Sequence, residues 1–117
     1  MNPENRHDWK IQRLEQRARR PDAVAELKLD LAEAYFQKGY YYGRGDSWFH
    51  KATAAAEAVF EAEGGSARAC NILANAWYGL GNLDSAERWY QAAIDAEPSD
   101  ALAHVGLAAT LGGDPRL

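Results

Sequence analysis

The sequence predicts an all-α fold made of antiparallel helix-turn-helix repeats, preceded by one extra N-terminal helix. Three observations carry this reading. Alanine recurs throughout, the apolar residues fall at spacings of three and four, and no β-branched run reads as a strand. Gly and Pro clusters divide the chain into segments of helical length. Residues 67–100 form a unit of 34 positions whose apolar and small residues echo those upstream.

The first helix is expected at about residues 5 to 19, where Trp9, Ile11, Leu14 and Ala18 form a stripe among Arg, Gln and Glu. Pro21 and Asp22 suit a first turn, so a second helix is expected from about 21 to 38, stopped by Gly39. From Gly39 to Asp46 the chain has the composition of a loop rich in aromatics. Asp46 or Ser47 then caps a third helix that runs to Glu63 and closes at Gly64-Gly65. Ser66 caps a fourth, to about Tyr78, and the turn Gly79-Leu80-Gly81-Asn82 leads into a fifth at 83–96, ended by Glu97-Pro98. Ser99 or Asp100 caps a sixth that ends near Leu111. The expected organisation is a basic N-terminal helix at 1–20, a helical repeat domain at 21–111 and a flexible tail at 112–117.

Composition limits what such a chain can be. At 117 residues it can bury one core without disulfides or metals. The single cysteine, Cys70, permits no internal disulfide or paired-cysteine zinc site and reads as a small buried hydrophobe. No apolar stretch approaches the ~20 residues that cross a bilayer. The opening residues lack the apolar core of a secretory signal, so the expected location is cytoplasmic. Residues 1–20 set six basic against three acidic side chains, a net +3, and leave −7 on the rest of a chain whose overall charge is −4. That basic arm reads as a solvated helix face near acidic neighbours. No nucleic-acid partner is expected, because the acidic body repels phosphate.

Leu73, Ala74, Trp77, Gly81, Ala86, Tyr90, Ala93 and Pro98 have the spacing of a known pattern. It resembles the tetratricopeptide repeat. Small residues at Ala74, Ala86 and Ala93 let two antiparallel helices approach, while Leu73, Trp77 and Tyr90 fill the wedge between them. Cys70 departs from the pattern, which often has Trp there. Upstream, Leu31, Ala32, Tyr35 and Gly39 repeat the first-helix spacing, with Ala52, Ala56 and Val59 on the partner helix. Between Gly39 and Ala52 this copy has eight more residues than its counterpart, assigned to an insertion in the aromatic loop and an extra turn of the third helix. A half repeat follows at 101–111, with Leu107, Ala108 and Leu111. The resemblance implies a right-handed α-solenoid.

Catalysis has no motif to rest on, since His7, His50 and His104 lie in separate elements and no Gly-rich loop follows a strand. No cofactor and no metal site is expected. Arg44-Gly45-Asp46 matches an adhesion tripeptide by chance composition. In the tetratricopeptide family the first helix of each repeat lines a groove, which implies Arg68, Asn71, Asn75 and Tyr78 as one ligand stripe and Glu26, Leu29, Glu33, Phe36 and Gln37 as the other. The absence of lysines there speaks against capture of an acidic C-terminus. Tyr40, Tyr41, Tyr42, Trp48 and Phe49 form an aromatic cluster of the kind that anchors interfaces. Leu102, Val105 and Ala109 lie on a final helix that is apolar nearly all round and should be covered. The expected function is a non-catalytic adaptor that binds a peptide or protein in its groove, with a homodimer through the last helix as the alternative.

Overall fold

The computed structural model describes residues 2–112. They form six helices, α1 (Pro3–Ala18), α2 (Ala25–Tyr41), α3 (Asp46–Glu63), α4 (Ala67–Gly79), α5 (Leu83–Ala96) and α6 (Ala101–Gly112). The fold is all-α, as expected. Each helix packs on the next, and α2 also touches α4 while α4 touches α6. The backbones of α1 and α3, and of α3 and α5, stay farther apart, and α3 meets α5 only through side chains, with Phe60 edge-on to Trp89 at 5.0 Å between ring centroids. The even-numbered helices therefore lie side by side as an inner row, and the odd-numbered ones spread apart outside it. Helices crowded on one side and splayed on the other make a curved stack, concave along α2, α4 and α6.

Small residues set the spacing. Ala32, Ala52, Ala56, Ala69, Ala74, Ala86, Ala93 and Ala103 are all fully buried, which lets backbones approach more closely than leucine contacts allow. Leu29, Leu73 and Cys70 are the largest side chains removed from solvent completely. Tyr90 closes the α4–α5 pair, its ring close against Gly106 on α6, where a Cβ would stand 2.2 Å from the ring.

Several expectations need correcting. The second helix begins at Ala25, because residues 19–24 are consumed in reversing the chain, with Ala23 donating to the Arg20 carbonyl. Gly39 does not stop it. This glycine is buried inside α2, where a Cβ would meet the Phe49 ring at 3.0 Å, and a Cβ on Gly79 of α4 would meet the same ring at 2.8 Å. Phe49 is thus a core wedge between α2 and α4, 7% exposed, and not part of a surface cluster. Of the extra eight residues, the added turn of α3 is present as expected, but the remainder lengthens α2 and does not form a loop. At 17 and 18 residues, α2 and α3 are each four longer than α4 and α5, about one added turn per helix, so the pair stays in register. The connection itself is only residues 42–45, reversed by Gly43 and Gly45 at positive φ. Gly45 occupies the cap position of α3, and Asp46 lies in its first turn, where a carboxylate favours the helix dipole without capping it. Ser66 and Asp100 do cap as the sequence indicates, and Asn82, expected only as part of a turn, caps as well, each accepting from a backbone N–H of the next helix. In the tail, Gly112 belongs to α6 and residues 113–117 lie outside the described residues.

The basic arm is docked differently from the expectation. Trp9 is 55% exposed, with the Arg13 guanidinium 4.9 Å from its ring centroid, and it is not part of the buried stripe. The face against α2 carries His7, Ile11, Leu14 and Ala18, with His7 Nε2 donating to the Ala34 carbonyl at 2.8 Å. All three acids of the arm also point inward. Lys38, itself buried, lies 2.7 Å from Glu4 and 2.5 Å from Asp8. Arg44 pairs with Glu4 as well, which gives the Arg44-Gly45-Asp46 triplet a structural role. Glu15 accepts from the Tyr35 hydroxyl at 2.8 Å. Desolvation opposes the charge on Lys38, but the hydrogen bonds it donates to Asp8 and Glu4 prevail and raise its pKa. Hydrogen bonds from Arg44 and Lys38 in turn hold the Glu4 carboxyl down to about 2.

Two outcomes are expected. Gly106→Ala forces Tyr90 out of its place and lowers stability by about 2 kcal/mol, read by urea denaturation with the slope unchanged. A carboxyl whose folded pKa lies below its unfolded value stabilises the fold above the unfolded value, and that contribution fades as pH falls through the folded one. Glu4→Gln should therefore melt earlier than the parent chain at pH 6, with the gap closing between about pH 4.5 and about 2.

Candidate binding groove

The inner row brings much of the inferred stripe together. Glu26 and Glu33 are seven residues apart on α2, and Asp30 stands between them on the same face at the four-residue spacing. All three carboxylates converge on Arg68 of α4: Nη1 is 2.7 Å from Glu26, and Nη2 is 2.7 Å from Asp30 and 3.0 Å from Glu33. Desolvation disfavours the guanidinium charge, and the bonds to Asp30, Glu33 and Glu26 outweigh it and raise its pKa. One cation among three anions leaves this rim acidic.

Leu29 is not on that rim. It is 1% exposed, within a cluster with Ala56, Val59, Ile72 and Leu73, because the three-residue step from Glu26 carries it to the flank that meets α3 and α4. Asp30 is the residue the stripe needed. The four-residue step and the opposite charge of Arg68 were the signals for it.

On α4, Asn71 and Asn75 are half-buried and both bonded within the protein. Asn71 Nδ2 donates to Asp100 Oδ2 at 2.6 Å, while Asp100 Oδ1 accepts from the amides of Leu102 and Ala103 at the start of α6. One carboxylate therefore ties α4 to α6. Asp100 is a second residue the groove reading missed, since its fit to a cap position hid its other oxygen. Asn75 Oδ1 accepts from the Tyr90 hydroxyl. Burial, together with the nearby Tyr78, pushes the Tyr90 phenol up to about 12. Asn75 is thus engaged in closing the α4–α5 pair. Asn71 keeps one function free: its Oδ1 is buried and has no hydrogen-bond partner among the described residues.

Around these side chains lies a cleft of about 340 Å³ between α2, α4 and the α5–α6 turn, bounded by Glu33, Arg68, Asn71, Asn75, Asp100 and Leu102. A smaller recess of about 170 Å³ adjoins it at Glu33, Ile72 and Asn75 and runs toward Phe36, Gln37 and Tyr41. Phe36 stacks on Tyr40, with centroids 5.5 Å apart, and leans on Phe49. Tyr78 is 41% exposed and lines neither the cleft nor the recess. The aromatic cluster therefore divides. Tyr40 and Tyr41 are exposed beside the recess, Tyr42 packs near His7, Trp48 packs on Tyr35 and Lys51, and Phe49 is core.

The last helix continues the groove. Adding one 34-residue period to Arg68, Asn71 and Asn75 gives Leu102, Val105 and Ala109. All three are exposed, Leu102 at 75% and Val105 at 67%. The inner surface thus passes from acidic on α2, through amide on α4, to apolar on α6. Cys70 is buried against Ala93 and Ala103, and burial raises its thiol pKa, as suits an inert packing residue. Among the described residues no group of His, Cys, Asp and Glu is arranged to hold a metal ion, and no helix is long and apolar enough to cross a membrane. The chain matches no protein-family model and no curated protein.

Proposed function

We propose that this protein is a non-catalytic adaptor of the tetratricopeptide-repeat kind, which holds a peptide or extended protein segment in the α2–α4–α6 cleft and brings it into a larger assembly. The observation that carries the reading is the cleft itself, where Glu33, Arg68, Asn71, Asn75, Asp100 and Leu102 present charged, amide and apolar groups side by side. The bond to Asp100 holds the carboxamide in place before the ligand arrives, so little ordering is left to do on binding. The surplus of carboxylates around Arg68 favours a ligand with Lys or Arg, and Leu102, Val105 and Ala109 favour an apolar segment next to it.

An array of short immobilised peptides tests this. Sequences that combine a basic residue with neighbouring leucine or phenylalanine should be retained, and Glu33→Lys with Asn71→Ala should weaken retention about tenfold or more. Arg68 keeps two carboxylate partners in that variant, so helicity should persist. Equal retention by the folded double variant would count against the groove.

A second reading, self-association through α6, has its own support in the exposure of Leu102 and Val105 on a helix with no charged residue. Light scattering across a dilution series should then give twice the chain mass, reverting to one chain in Leu102→Glu plus Val105→Glu. A single-chain mass at every concentration removes this reading.

A further inference from the structure

The outer face of α1 has a composition unlike the rest of the molecule. Arg6, Lys10, Arg13 and Arg17 succeed one another at steps of four, three and four, forming a single basic row about 17 Å long. Asn5, Trp9, Gln12 and Gln16 form an adjacent row of amides and one indole. Arg19 and Arg20 extend the positive charge into the turn that follows. Every one of these side chains is exposed, and none of the six cations enters an ion pair among the described residues.

What makes the face distinctive is the sorting of charge by the fold. By composition the arm is only +3, but Glu4, Asp8 and Glu15 are all turned inward onto Lys38, Arg44 and Tyr35. The outer face is therefore +6 with no acid on it. With the apolar stripe of α1 spent on α2, no hydrophobic face remains to enter a bilayer beyond Trp9 alone. Arginines in a row suit phosphates, which they bind in a planar, two-pronged way. Amides offer donors and acceptors to base edges, and an exposed indole offers a surface on which an unpaired base can stack.

We propose that this outer face of α1 is a docking surface for single-stranded nucleic acid, with the basic row along the sugar-phosphate backbone and Trp9 stacked on a base. The reading is independent of the groove, which lies along the inner row. The acidic remainder of the molecule does not abolish contact at this edge, because its repulsion is screened beyond about 8 Å at physiological salt. It does restrict the strand to α1 and keep the affinity modest.

Fluorescence anisotropy of the full chain with a labelled mixed-sequence single-stranded oligonucleotide tests the proposal. Saturable binding at about micromolar concentrations is expected at low salt, falling with a log–log slope of about −3 if four phosphates are neutralised. Arg13→Gln plus Arg17→Gln should weaken it about tenfold or more and flatten the slope by roughly one to two. Trp9→Ala should weaken it about fivefold or more with the slope unchanged. These positions are solvent-exposed, and circular dichroism should be the same for all variants. Absence of saturable binding at low salt, or equal binding by the double arginine variant, overturns the proposal. Tighter binding to a duplex of the same sequence, to phosphatidylserine vesicles or to polyglutamate also overturns it and reassigns the face to that partner.

Discussion

Close approach of helix backbones, secured by alanine and glycine at the contacts, is the constraint on which the other features depend. Where α2 meets α3 and α4 the buried small residues are Ala32, Ala52, Ala56, Ala69 and Ala76, and each contributes little area of its own. Such a core is thin, so a few large side chains fix its geometry. Phe49 wedges between two glycines on neighbouring inner helices, and Tyr90 lies on a third at Gly106. Both rings stand where a methyl group would collide with them. The spacing of the inner row, and so the width of the cleft, follows from these two contacts.

Polar groups then decide how the stack is joined and what it leaves open. Between α4 and α6 the tie is the Asp100 carboxylate, which caps one helix and holds the Asn71 amide of the other. Between α2 and α4 it is Arg68 among three carboxylates, all partly exposed. Exposed ion pairs contribute little to stability, so the Arg68 cluster is better understood as setting the sign of the rim than as holding the helices together. The position that stays unsatisfied, Asn71 Oδ1, lies between these two ties.

At the N-terminal end the same economy produces a different surface. Lys38 is buried at the end of α2 and has to be neutralised there, since an uncompensated charge in that position would be strongly destabilising. Glu4 and Asp8 supply the neutralisation. The consequence is felt on the opposite side of α1, where cations remain without counter-charges. Stabilising the inside of the arm and polarising its outside are one event.

Local signals determined the six helices, three of their caps and the order in which they pack, because periodicity, Ser66, Asn82, Asp100 and the glycine turns act over a few residues. The 34-residue spacing of Leu73, Ala74, Trp77 and Ala86 was legible for the same reason. Tertiary structure alone decided that Gly39 lies inside a helix, since only the Phe49 ring makes a glycine there preferable to a stop. It decided that the added residues not taken by α3 lengthen α2 by a turn, since the pair must stay in register. It also decided that Leu29 belongs to the core and Asp30 to the rim. A step of three and a step of four both keep to one side of a helix, and only a second helix, here the one carrying Arg68, fixes which of the two faces it. Charge sorting on α1 was hidden likewise: composition counts charges, but the direction each one points is settled by what it packs against.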